Sequence, residues 1–170
     1  MKRLIGVIMI CLIAVVGCKK EKKYTVAREG LVNLISGDVV LVVNGAESKA
    51  RIGDAIKEGM TIKTVGPKSI AEIYFGENAV KILGDTVIKI EKLITDISAN
   101  TEASSFVVEK GRMFSRVTKK LNKGDSYQVK TPTAIAAVRG TDFLVTQEED
   151  KSNVACLDGL LEVLNQSLAT

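Results

Sequence analysis

The chain of 170 residues holds three cysteines and no histidine. Without an imidazole there is no Ser–His or Cys–His nucleophile pair, and no His-ligated zinc or haem. Cys18 closes an apolar run as Val15-Val16-Gly17-Cys18, a place where a thiol can accept a lipid through a thioether. Cys11 lies inside that run. Cys156, in Asn153-Val154-Ala155-Cys156-Leu157, reads as a small buried strand residue rather than a reactive thiol. With Cys18 modified and Cys11 removed, no internal disulfide is expected, even in an oxidising compartment. Gly-Asp recurs at Gly37-Asp38, Gly53-Asp54, Gly84-Asp85 and Gly124-Asp125. Carboxylates bind calcium from compact loops, and this spacing lacks one, so these aspartates read as turn residues that bond nearby backbone N–H groups. No compact carboxylate pair, metal cluster or Ser–Lys dyad is evident. The reading is therefore non-catalytic, with no catalytic residue, no metal and no cofactor.

Charge narrows the partners. Lysine and arginine number 24 against 20 acidic residues. Setting aside Lys2, Arg3 and the run Lys19-Lys20-Glu21-Lys22-Lys23 leaves 18 basic and 19 acidic groups over residues 24–170. A near-neutral body has no electrostatic case for binding nucleic acid. Sugar recognition favours aromatic platforms; Trp is absent, and most of the three tyrosines and four phenylalanines are expected in the core.

Met1-Lys2-Arg3 followed by the apolar run Leu4–Val16 reads as a secretory leader, because thirteen helical residues reach about 20 Å against a hydrocarbon core of about 30 Å. Its end resembles a bacterial lipobox, which implies acylation of Cys18, the one covalent group expected. Lys19–Lys23 would add attraction to anionic headgroups. By the same resemblance, Lys19 directly after the cysteine, in place of Asp, tilts toward the outer membrane. The expected layout is a signal peptide over 1–17, a basic tether over 18–25, a β domain over 26–165 and a tail over 166–170. The location is the bacterial cell envelope, lipid-anchored and periplasmic or outer-membrane associated.

The elements that would carry these residues are short β-branched runs divided by glycine. Candidate strands are Leu31–Ile35, Asp38–Val43, Thr61–Val65, Ile70–Phe75, Ala79–Leu83, Thr86–Ile90, Phe106–Glu109, Arg112–Thr118, Ser126–Lys130, Ile135–Val138, Phe143–Thr146, Asn153–Leu157 and Leu160–Leu164. Several alternate with period two, and the intervening glycines suit tight turns. Apolar residues at 90, 93, 94 and 97 have helical spacing, so 90–103 is read as either a short helix or an irregular crossing. The fold class is all-β, a single sandwich or a β-helix-like stack.

Thr131-Pro132-Thr133-Ala134-Ile135-Ala136-Ala137-Val138-Arg139-Gly140-Thr141-Asp142-Phe143 resembles the signature T-P-x-A-x-x-x-V-R-G-T-x-F of the FecR domain family. Gly53–Thr64 and Ser69–Phe75 resemble two earlier elements of that family, so the likeness spans roughly Val26 to Val163. It implies an envelope β-module in signalling. The family's iron-transport regulators add a cytoplasmic anti-sigma segment and a membrane span; here a lipobox stands in their place, so only the envelope module is carried over. Within the motif, Pro132 belongs at a strand entry, and the small Ala134, Ala136 and Ala137 suggest close backbone approach. Arg139 can tie two strands together with its fork of donors, or contact a ligand. Gly140 allows a turn or bulge, while Thr141 and Phe143 share a face of the next strand. Residues 110–130 are strongly basic and 142–162 strongly acidic. Such patches either dock a partner or compensate each other across neighbouring strands. The leading expectation is a lipid-anchored protein-binding sensor, adaptor or assembly module with an envelope protein partner. The alternative is a structural or surface-exposed envelope lipoprotein that contacts peptidoglycan, matrix or host molecules.

Overall fold

The computed structural model describes residues 24–118 and 121–165, and its regular elements are all strands. In chain order they are β1 (Thr25–Ala27), β2 (Gly30–Val43), β3 (Ala46–Lys49), β4 (Ala55–Ile56), β5 (Thr61–Phe75), β6 (Asn78–Ile82) and β7 (Val87–Asp96). The second half follows as β8 (Thr101–Arg116), β9 (Ser126–Lys130), β10 (Ala134–Val138), β11 (Asp142–Glu148), β12 (Lys151–Asp158) and β13 (Leu161–Asn165).

The pairing resolves into two sheets that share three strands. One runs β3–β2–β5–β7–β8–β9–β10–β13, with β1 beside the far end of β7. The other runs β4–β2–β5–β6–β8–β11–β12. Strands β2, β5 and β8 belong to both, each passing through a bend at Gly37, Gly66 and Gly111 respectively. Between β5 and β8 the central line is β6, a turn over Leu83–Thr86, then β7. The molecule is thus one sheet folded over on itself into a sandwich. The short strands expected on either side of Gly37, Gly66 and Gly111 are halves of continuous strands.

A bend breaks the ladder, and the freed backbone groups need partners. Two buried threonines supply them. Thr86 N donates to Thr64 Oγ1 at 3.0 Å, and Thr64 N donates to the Thr86 carbonyl at 2.9 Å. Arg112 N donates to Thr86 Oγ1 at 2.9 Å, and that hydroxyl lies 3.0 Å from the Gly84 carbonyl. Gly111, at φ +90°, packs so closely on Thr86 that a Cβ would press into its hydroxyl and backbone. A side chain there meets both a strained backbone and a steric wall.

The core lies between the two faces. Phe75 of one sheet meets Phe106 of the other at a ring separation of 5.1 Å, Phe106 meets Tyr127 at 5.3 Å, and Tyr127 meets Phe143 edge-on at 6.2 Å. All four are buried, and the Tyr127 hydroxyl donates across the sandwich to Ser115 Oγ at 3.1 Å. That burial holds the Tyr127 phenol protonated well above the usual tyrosine range, against a smaller lowering by Ser115. Tyr24 and Tyr74 are exposed.

The helix alternative for 90–103 is overturned: this stretch is the end of β7, a turn and the start of β8. The cause is a bulge. Ile90 opposes Phe106, Lys92 opposes Ser105, and Glu91 is the extra residue between. One inserted residue moves the inward face by one position. Ile88 and Ile90 are followed inward by Leu93 instead of residue 92, and the spacing of three imitates a helix.

Candidate functional site

The segment Thr131–Phe143 carries the chain from one sheet to the other. Thr131 opens it as a buried turn: its N donates to the Ala134 carbonyl at 2.8 Å, and Ala134 N donates back to Thr131 Oγ1 at 2.9 Å. The exposed Pro132 sits at the corner, where no ladder donor is needed. The Thr131 hydroxyl also lies 2.6 Å from that of Ser152, which donates to Gln147 Oε1 at 2.5 Å. The turn is thereby fastened to the hairpin of β11 and β12. Ser152 and the buried Gln147 belong to this network and were not singled out from the sequence; their polarity in strand positions with an inward parity was the available signal.

After β10, where Ala136 and Val138 are buried and Ala134 and Ala137 half-buried, Arg139-Gly140-Thr141 crosses between the sheets. A second crossing runs alongside, Gly159-Leu160, from β12 to β13. Thr141 Oγ1 donates to the Leu160 carbonyl at 2.6 Å, and Val117 N donates to the Thr141 carbonyl at 3.1 Å. Gly159, at φ +94°, lies against the Gly140 carbonyl so closely that a Cβ would have no room. Phe143 then drives into the core. Two crossings fastened by one hydroxyl explain physically why small and hydroxyl residues stand at these positions.

Arg139 departs from the strand-tying expectation. It is exposed, and its guanidinium has no hydrogen-bond or ion-pair partner among the described residues; only its backbone N reaches the Leu160 carbonyl, at 3.5 Å. It shares a cleft of about 430 Å³ with Arg116, Thr118, Asp142 and Asp158. Within it, Arg116 Nε is 3.0 Å from Asp142 Oδ2, so the basic β8 and acidic β11 do compensate each other across the pair at this point. Lys130 similarly meets Glu91 at 2.6 Å. Hydrogen bonds from Lys130, then Ser105, hold the Glu91 carboxyl below the usual carboxylate range.

Beyond the crossings the sandwich is open. Within the described residues β12 pairs with β11 alone and β13 with β10 alone, so each keeps a free edge. Val163 shares its face with the buried Ala136, which it opposes, yet is 49% exposed. Cys156 opposes the buried Phe143 and is itself exposed. The expectation of a buried cysteine is overturned because, among the described residues, no strand covers β12 on that side. Leu157, Leu160 and Leu164 are exposed as well. Sequence reading missed this open edge; its signal is the apolar run on both parities from Val154 to Leu164, interrupted by few charges. Cys18 and Lys19–Lys23 lie outside the described residues.

The family model for FecR protein matches residues 60–162. The chain belongs to the FecR family. The match starts within the Gly53–Thr64 element and takes in the bend of β5, both crossings and all of β12. FecR proteins are bacterial envelope-associated and regulatory or signalling rather than catalytic, which makes this an envelope signalling-related protein. Among the described residues no helix is long and apolar enough to cross a membrane. Neither a curated protein nor a solved structure matches the chain.

Proposed function

We propose that this FecR protein is held to the envelope by lipid on Cys18 and acts there as a non-catalytic sensor or adaptor that binds another envelope protein. The observation that supports the binding role is the pair of free strand edges at β12 and β13, with half-exposed apolar side chains on what would be an inner face. An extended segment adding to either edge would gain main-chain hydrogen bonds and cover Val163 or Cys156. These side chains lie beside the two crossings built by the family motif, so the most distinctive part of the sequence supports the same place in the fold. Crosslinking in intact cells from probes on β13, followed by mass spectrometry, tests the reading. One stoichiometric envelope-protein partner, lost on Val163→Pro, is the expected result; glycan-linked or unspecific capture overturns it in favour of a structural lipoprotein. Incorporation of radiolabelled palmitate, abolished by Cys18→Ser, tests the anchor.

A further inference from the structure

We infer that the pole of the sandwich opposite the bend rests on an anionic lipid surface. The inference builds on the Cys18 anchor proposed above and adds an orientation and a contact face to it.

Six strands of the first sheet end or begin at this pole. The register places Tyr24 beside Ile97, Asp96 opposite Thr101, Ala103 opposite Ser126, Tyr127 opposite Val138 and Val138 opposite Leu161. At the usual strand spacing that row is about 24 Å wide. Three of the most exposed large apolar side chains stand on it: Tyr24 at 63%, Ile97 at 61% and Leu160 at 79%. Between them stand Lys123 and Arg139, exposed and without an ion-pair partner among the described residues. Of the nearby carboxylates, Asp125 and Asp96 are turned into the chain and Asp142 pairs with Arg116, while Asp158 lines the cleft beside Arg139. Asp125 accepts from Glu102 N and Asn122 N, both at 2.8 Å, and Asp96 from Ala99 N at 3.1 Å. Apolar and aromatic tips interspersed with free cations are the composition that suits a bilayer interface.

Two further observations favour lipid as the occupant. The described chain starts at this pole, and only residues 19–23 separate Tyr24 from Cys18. Fully extended, that tether reaches about 20 Å, so a lipidated cysteine confines this pole to the membrane's vicinity. At the bend pole, Asp85, Glu109, Glu148, Glu149 and Asp150 outnumber Lys110, Arg112 and Lys151 in one cleft. An anionic surface repels that end.

The test uses the full lipidated chain with Cys156→Ser. An environment-sensitive NBD label is placed on Ile97→Cys, Leu160→Cys or, at the bend, Lys68→Cys. Each protein is reconstituted into vesicles of phosphatidylethanolamine and phosphatidylglycerol. Labels at 97 and 160 are expected to brighten and shift to the blue while the label at 68 stays as in water. The combined change Lys123→Glu and Arg139→Glu is expected to abolish that signal while the protein still floats with the vesicles. Flotation with all three labels equally water-exposed overturns the docking but leaves the anchor intact. Failure to float overturns the anchor and the docking together.

Discussion

The two flanks of the sandwich treat their free edges in opposite ways. On one flank β3 is four exposed residues, Ala46-Glu47-Ser48-Lys49. Glu47 pairs with Lys63 at 2.6 Å and Lys49 with Asp38 at 3.2 Å. On the other flank the middle of β12 reads Val154-Ala155-Cys156-Leu157, and β13 carries one charge, Glu162, among Leu161, Val163 and Leu164. Short, charged edges repel stray strands; long apolar ones invite them. The guarded flank lies outside the segment matched by the family model and the open flank lies almost wholly within it. Protection against pairing is thus a local property here, present on the flank outside the family match and lacking, among the described residues, on the flank within it.

The largest predicted effects test whether the two flanks share one core. Phe75→Ala under the guarded flank and Phe143→Ala under the open flank should each cost about 3–5 kcal/mol in denaturant unfolding, because both rings are buried in one aromatic chain. A clearly smaller cost for Phe143→Ala would mean that the open flank is a separately loose unit. Thr86→Val should cost about 1–3 kcal/mol by stripping Arg112 N of its acceptor at the bend, again by denaturant unfolding. Making the guarded flank resemble the open one, with Glu47→Val and Lys49→Val, should change stability by no more than about 1 kcal/mol. The same change should produce concentration-dependent association in sedimentation; a strictly monomeric double variant would break the comparison.

The smaller effects concern charge. Glu91 has a folded pKa below its unfolded value. It therefore contributes stability that is present above about pH 4.3 and is lost as pH falls through the folded value. In a pH series of melting temperatures, Glu91→Gln should flatten that acid-side decline. Arg139→Ala should shift stability by less than about 0.5 kcal/mol, since its side chain is exposed and has no partner among the described residues. A large loss in thermal unfolding would restore the strand-tying role.

What the sequence made legible was local. Period-two runs such as Ile70–Phe75 marked strands correctly because one face of each is buried; the Thr131–Phe143 signature marked a strand entry at Pro132 and a turn or bulge at Gly140, but not the crossing between sheets that it makes. Less legible was whether a glycine ends a strand or bends it. Gly37, Gly66 and Gly111 look in sequence like Gly45 and Gly76, which do sit in hairpin turns. The difference lies in long-range partners: Thr86 against Gly111 and Ser69 against Gly37. The helical spacing near Ile90 misled because a bulge is defined by the opposing strand, Phe106 and Ser105, and not by its own residues. Arg139 misled for a similar reason, since its type permits a buried fork but its place just past the end of β10 leaves it in solvent.

Because β2, β5 and β8 each thread both layers, the two layers are joined by three continuous strands across the bend. A displacement of one layer is therefore carried covalently into the other at three places. A body built this way couples its two layers through the main chain itself, in addition to the side chains packed between them.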